Sequence, residues 1–450
     1  MNKINAAEVI NNSKFNRFHF GLLAWSFLII LFDGYDLVVY GTAVPVLIEE
    51  WGLSSVQAGA MSSYGLLGMM FGAIFFGILA DKMGRKNVIA LSLILFSLFT
   101  FLCGFASSPT TFSIYRFIAG LGLGGIMPNV IALLTDYAPT KMKSMAVSIV
   151  LCGYSFGGML APILGIFVMP TLGWESIFWF AGLPLLLLPV IYKFLPESSA
   201  HLIKKNKKQE LLSVLRKVNP AQKMDEKTEF FLQVQEENKV PVVGLFKNNR
   251  GLSTVMFWIA FFMCLLMVYG LNTWLPNLMI EAGYALNSSL AFLITLQGGA
   301  IVGTLIIGWL CDKYGSKKML VPLYALGAVS LTLLGFGGSE LFIYLLVAIA
   351  GASTIGAQNL VQAYVSQYYP PNIRSTALGM ASGIGRFGGM LGPLLGGFLL
   401  TAALPIHMNF IAFAIPGLIA AIALALVPIK RAYKPEATVV KENETIKVAN

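Results

Sequence analysis

The chain has 450 residues, of which 57% are hydrophobic and 12% are charged, with a formal net charge of +10. So few ionisable groups cannot cover a soluble globule of this length. Nor does the positive charge point to a nucleic-acid partner, because it follows the loops rather than one surface.

Residues 1–19 are polar (Asn2, Lys3, Asn5, Asn11, Asn12, Ser13, Lys14) and read as a cytoplasmic N-terminal tail without a cleavable signal peptide. Apolar runs of about 20 residues follow, each long enough to cross a hydrocarbon core of ~30 Å as a helix. Six of them, at 20–44, 57–79, 88–106, 111–134, 145–168 and 175–194, make an N-terminal six-helix bundle over 20–194. Residues 195–250 are the long polar stretch between two apolar blocks. There Leu211, Leu212 and Leu215 stand at helical spacing among lysines, which predicts a linker of amphipathic helices on the cytoplasmic membrane surface. Six more runs, at 252–276, 288–310, 319–337, 341–363, 376–402 and 407–427, form a C-terminal bundle over 251–428, and 429–450 is a charged, partly disordered cytoplasmic tail. The predicted fold is an all-α integral membrane protein of twelve transmembrane helices in two pseudo-symmetric six-helix bundles.

Every lysine and arginine except Arg116 and Arg386 falls in a tail, in the central linker, in a loop on one side of these spans or, for Lys193, at the end of a span on that side. The opposite loops carry acids such as Glu49, Glu50, Glu281 and Glu340. By the positive-inside rule both termini are cytoplasmic. The four cysteines, Cys103, Cys152, Cys264 and Cys311, lack metal-ligand spacing and predict neither a metal site nor disulfides. His19, His201 and His407 form no catalytic cluster, no nucleophile motif appears, and nothing resembles a nucleotide-binding loop. The chain is not expected to be an enzyme or to need a cofactor; an ion gradient or the solute gradient itself is left to drive any transport.

A shift of 231 residues without gaps puts the halves in register. Gly77-Ile-Leu-Ala-Asp81-Lys-Met-Gly84-Arg85-Lys86 falls on Gly308-Trp-Leu-Cys-Asp312-Lys-Tyr-Gly315-Ser316-Lys317, and Phe156-Gly-Gly-Met-Leu falls on Phe387-Gly-Gly-Met-Leu. The chain is a duplicated unit, an arrangement that places a transport site between its halves. Each Gly-Asp-Gly-base loop is expected to act as a cytoplasmic latch, made in one state and broken in the other, through Gly77, Asp81, Gly84, Arg85 and Lys86, and through Asp312 and Lys317. Ser316 replaces the arginine of the first copy, so the second latch should be weaker.

Charges inside spans carry the chemistry, because each costs several kcal/mol unless it is paired or used. Asp33 and Asp36 stand i, i+3 on the first span, with Tyr40 continuing their face. At ~1.5 Å per residue Arg116 lies level with both, so it can pair with one and leave the other to titrate. Arg386 has Ser155 as its repeat partner and no acid within the spans of its own half. Its planar fork suits a carboxylate. The alternative partner is Asp33 or Asp36 across the bundle interface. Asn272, Trp274, Gln297, Gln358, Asn359 and Gln362 are candidates to line a cavity, and Arg116 and Tyr40 to reach substrate.

These motifs, with Arg116 ahead of Gly120, Gly122 and Gly124 and with Leu195-Pro-Glu-Ser198, resemble the major facilitator superfamily over nearly the whole chain. Asp33-Gly-Tyr35-Asp36, Asn272-Thr-Trp274-Leu-Pro276 and Gly385-Arg386-x-Gly388-Gly389 are similar to its aromatic acid:proton symporters, and the run Asp33-Gly-Tyr-Asp-Leu-Val-Val-Tyr-Gly41 resembles their benzoate and muconate members. The resemblance implies import of a benzoate or hydroxybenzoate across a bacterial inner membrane, coupled to protons through Asp33, Asp36 and Arg116. Arg386, with Arg116, would hold the carboxylate. Transport of a muconate-like acid, or export of a drug or aromatic acid, are the alternatives. A monomer is expected.

Overall fold

A computed structural model describes residues 3–222, 224, 229–231 and 242–433. Among these residues, twelve helices are long and apolar enough to cross a membrane. In order they are Arg17–Trp51, Ser55–Met83, Arg85–Cys103, Pro109–Tyr137, Lys143–Phe167, Glu175–Phe194, Gly251–Glu281, Leu286–Tyr314, Ser316–Leu334, Glu340–Tyr368, Pro371–Thr401 and Ile406–Leu426. Spans three and nine start and end about three residues earlier than hydropathy predicts, because Gly84 and Gly315 stop the preceding helices at φ +90° and +94°. Span six is two helices, Glu175–Phe180 and Leu183–Phe194. An even number of spans puts both termini and the linker on one face, called here the terminal face.

The duplication is legible atom by atom, because lipid-embedded helices associate by close packing and only small residues let their backbones touch. A Cβ built on Gly68 would lie 2.1 Å from the Phe117 carbonyl oxygen; one on Gly299, 231 residues on, would lie 2.0 Å from that of Ala348. Gly120 against Gly65 and Gly351 against Leu296 form a second such pair, and Gly157 against Leu31 and Gly388 against Phe262 a third. Even the helix ends repeat. The Tyr137 hydroxyl donates to the Glu197 carbonyl, and that of Tyr368 to the Pro428 carbonyl at 3.0 Å.

The bundles meet where span two packs on span eleven, span five on span eight, and span one on span seven. The first two contacts exchange under the two-fold axis relating the repeats, and the third lies on it. Gly59 and Gly397 bring spans two and eleven within reach of the Pro393 and Ser55 carbonyls, and Ser63 donates to the Met390 carbonyl at 2.7 Å. Ser62 and Thr273 hydroxyls lie 3.1 Å apart across the same seam. All of these lie in the half of the membrane away from the terminal face, so the bundles are sealed there.

The linker holds the amphipathic helices the sequence predicts, Ser199–Lys204 and Lys208–Val218, the second burying Leu211, Leu212, Leu215 and Val218. One departure from the all-α expectation is a small parallel pairing of Lys3–Asn5 with Glu229–Phe231, which ties the N-terminal segment to the linker. The disordered tail expected after Pro428 lies, from residue 434, outside the described residues. All four cysteines are free thiols.

Candidate functional site

Between the bundles lies a cavity of about 270 Å³. Its walls come from the middle and the terminal-face halves of the helices: Met127 and Ile131 on span four, Leu151 and Tyr154 on span five, Phe261 and Tyr269 on span seven, and Ser382 and Arg386 on span eleven. It therefore lies on the terminal-face side of the seal. Asp33 forms part of its inner wall.

The two aspartates of span one have different surroundings. Gly34 between them lets the backbone of span five approach; a Cβ there would sit 1.8 Å from the Tyr154 carbonyl oxygen. Asp36, 0% exposed, points into the N-terminal bundle. Both of its carboxylate oxygens accept from Arg116 Nη1 at 2.9 Å, and Thr100 donates to Oδ1 at 2.5 Å. The Arg116 guanidinium also sits 6.0 Å from the Tyr40 ring and packs beside Gly65, where a Cβ would meet it at an ordinary contact distance of 3.5 Å. A pair this buried repays its desolvation only with such good geometry. Asp33, 1% exposed, has no hydrogen-bond partner on either carboxylate oxygen among the described residues. Between the aspartates a void of about 20 Å³, bordered by Arg116, Ser62, Tyr269 and Thr273, has the volume of a single water molecule.

Arg386 is half-buried and gives one hydrogen bond, Nη1 to the Met69 carbonyl oxygen at 3.1 Å across the bundle interface. A guanidinium has five donors. The rest make no hydrogen bond within the described residues, and no acid lies within ion-pair distance; the cross-interface pair with Asp33 or Asp36 is not formed. Opposite it, Gln358, Asn359 and Gln362 line the cavity from span ten. They follow a π-helical turn, Ala352–Gly356, an extra-residue insertion that re-aims the helix face after it. Uninterrupted helical spacing does not predict that turn.

Other candidates lie elsewhere. The Tyr40 hydroxyl donates to the Ala58 carbonyl at 2.6 Å, outside the cavity. Trp274 is fully buried, its indole donating to the Pro393 carbonyl at 2.7 Å. Asn272 accepts from Gln297 at 2.7 Å and donates to the Val268 carbonyl, while Gln297 packs where Gly158 lacks a side chain. These three brace the seal around spans seven, eight and eleven through hydrogen bonds inside the protein, although Gln297 Oε1 is left without a partner among the described residues. Arg116 is likewise committed to Asp36 and borders only the small void. Tyr154, Tyr269 and Thr100 escape a search for charges. They stand over Gly385, Val38 and Leu331 in the repeat, so extending the comparison of halves from charge to polarity would flag all three.

At the terminal face Asp81 and Asp312 make no ion pair among the described residues. The acid that meets the first loop is Glu197, whose carboxylate accepts from the Lys86 and Ser198 amides at 3.3 and 2.8 Å and fills the space a Gly84 side chain would take. Arg85 donates to the Ala132 carbonyl, and Lys317 to those of Ala425 and Val427. Gly77 faces open space. An unpaired Asp81 accompanies a cavity on the terminal-face side.

The fold and this two-bundle cavity define a membrane transporter. Comparison with known proteins agrees: the model of the Major Facilitator Superfamily matches residues 26–301 and 288–449. The chain is 45% identical to the benzoate transport protein of Acinetobacter baylyi over 99% of its own length and 98% of that protein's. It is 36% identical to the gentisate transporter of Corynebacterium glutamicum, covering 90% and 86%, and 34% identical to the 4-hydroxybenzoate transporter PcaK of A. baylyi, covering 94% and 93%. In fold it is similar to a crystal structure of a D-xylose-proton symporter (TM-score 0.72, 17% identity, covering 92% and 99%). It also resembles an inward-facing bacterial homolog of the lysosomal transporter Spinster (TM-score 0.71, 16% identity, covering 94% and 100%). The chain belongs to the Major Facilitator Superfamily, in the branch that holds these aromatic-acid transporters, and is not an enzyme.

Proposed function

We propose that the protein imports a single-ring aromatic carboxylate of the benzoate or hydroxybenzoate class across a bacterial inner membrane together with protons, with the terminal face in the cytoplasm. The observation that carries this reading is one buried carboxylate and one arginine, neither in an ion pair among the described residues, on the walls of the same cavity. Asp33 is the proton carrier, because Asp36 is held by Arg116 and Thr100. Arg386 takes the substrate carboxylate on its free donors. Tyr154 and Tyr269 supply ring contacts and hydroxyls, and the amides of span ten meet the far edge of the ring. A cavity of about 270 Å³ is at the small end for ligand sites, which suits one ring rather than a drug-sized molecule.

With Asp33 protonated and Arg386 neutralised by the carboxylate, the cavity carries no net charge through the rocking step. A monoanion entering with one proton moves no net charge, so the membrane potential neither helps nor hinders it. A second proton would add about 2.3 kcal/mol per 100 mV. No cofactor takes part; the proton gradient is the energy source.

The test is uptake of labelled benzoate and 4-hydroxybenzoate into proteoliposomes under an imposed pH gradient. Asp33→Asn should abolish accumulation while benzoate exchange without a gradient persists. Arg386→Lys should raise KM at least tenfold, since an ammonium cannot reproduce the fork. Full accumulation by Asp33→Asn would remove the proton role, and an unchanged KM in Arg386→Lys would remove the anchor.

A further inference from the structure

The terminal face holds a second, larger recess that transport does not use. It is a cleft of about 690 Å³ where the start of span one, the end of span six and the linker helix Lys208–Val218 come together. Four bases line it: Arg17, Lys86, Lys193 and Lys217. None forms an ion pair among the described residues, although Lys86 sits 4.4 Å over the Tyr192 ring. Two acids are present. Glu210 is paired with Lys207 at 3.1 Å, and Glu197 is 6% exposed and occupied by backbone amides. The accessible charge of the cleft is therefore positive.

Its floor is apolar. Trp25 and Phe194 stack with ring centres 6.1 Å apart, and Phe194 is 60% exposed on the outer surface of the bundle. A cleft with cations at the mouth and aromatic rings leading toward the bilayer core matches an amphiphile, charged at one end and oily at the other. A free phosphate would use only the mouth.

We propose that this cleft binds the headgroup of one anionic phospholipid, its phosphate among Arg17, Lys193 and Lys217 and an acyl chain along Trp25 and Phe194. Basic pockets where transmembrane helices leave the membrane suit such headgroups. The position has a mechanical consequence. Asn16 already donates to the carbonyls of Lys217 and Val218 at 3.0 and 3.1 Å, so a lipid bridging Lys193 and Lys217 joins the linker helix to the N-terminal bundle a second time. It also reaches Lys86, whose amide meets Glu197 in the first latch loop.

The full chain, purified and presented with an equimolar mixture of phosphatidylglycerol and phosphatidylcholine, is read by native mass spectrometry for retained lipid. One phosphatidylglycerol should be retained in preference to phosphatidylcholine. Millimolar inorganic phosphate should not displace it. Each base removed should weaken retention roughly fivefold, so Lys193→Gln with Lys217→Gln should weaken it roughly 25-fold. Lys204→Gln with Lys205→Gln, linker bases outside the cleft, should change nothing. Equal retention of phosphatidylcholine by the unaltered protein would overturn the proposal, as would displacement by phosphate or an unchanged affinity in the cleft double variant.

Discussion

Asp33 and Asp36 lie one helical turn apart, yet their neutralisation should act on stability in opposite ways. Asp36→Asn removes the counter-ion of Arg116, which is 6% exposed and has Asp36 as its ion-pair partner. Breaking one side of a buried pair costs about 3–5 kcal/mol, because the other charge stays buried and uncompensated. For a unit the size of the N-terminal bundle, each kcal/mol moves Tm by about 2–4 °C. The expected fall is therefore roughly 6–20 °C. Asp33→Asn breaks no hydrogen bond and removes a buried charge that has no partner, so Tm should hold or rise. Asp36→Leu combined with Arg116→Leu should regain most of the loss, since apolar replacement of a whole buried pair is often neutral. Intrinsic tryptophan fluorescence of the detergent-solubilised protein during heating reads all three. If Asp33→Asn lowered Tm as far as Asp36→Asn, the assignment of one locked and one free aspartate would be wrong. A double variant no better than Asp36→Asn would equally sink it.

Three further outcomes follow from the packing. Gly120→Ala should cost about 1–3 kcal/mol, because its Cβ would meet the Gly65 carbonyl oxygen at 2.0 Å, whereas Gly77→Ala, facing open space, should leave Tm unchanged; a large loss at Gly77 would contradict the packing. Ser62→Cys with Thr273→Cys, in a background without the four native cysteines, should form a disulfide under mild oxidation and stop uptake until it is reduced; undiminished uptake by the oxidised protein would show that this seam does not open. Gly84→Ala should impair folding more than Glu197→Ala does, since it combines a φ of +90° with a collision at the Glu197 carboxylate, and the double variant should relieve only the collision; equal Tm for both single variants would refute this.

Much of this protein is written locally. Twelve apolar runs determine twelve spans, since the length of a crossing helix and the cost of an unpaired backbone in lipid leave few other solutions. The repeat at 231 residues determines that the two bundles pack alike internally, down to matched contacts such as Gly68 with Phe117 and Gly299 with Ala348. Asp33, Asp36, Arg116 and Arg386 are legible as special because a charge within a span stands out against apolar neighbours.

Direction is what the sequence leaves open. In a span apolar on all sides, helical periodicity carries almost no signal about which face a polar residue occupies. Asn272 and Gln297 therefore look like Gln358 and Gln362 until helix rotation and the π turn are known. Only then do the first two find each other in the seal and the latter two face the cavity. The same holds for the aspartates. Their spacing places both near Arg116, but the choice of Asp36 rests on Thr100, which stands on a different helix. Glu197 displaces Asp81 as the acid on the first loop for a like reason: it lies more than a hundred residues along the chain and reaches Gly84 only after six helices have packed. The sequence by itself determined the spans, the duplication and the list of buried charges, because burial in lipid and repetition are properties of single segments. Tertiary packing decided which charges pair and which stay free, because a partner is a matter of distance between segments.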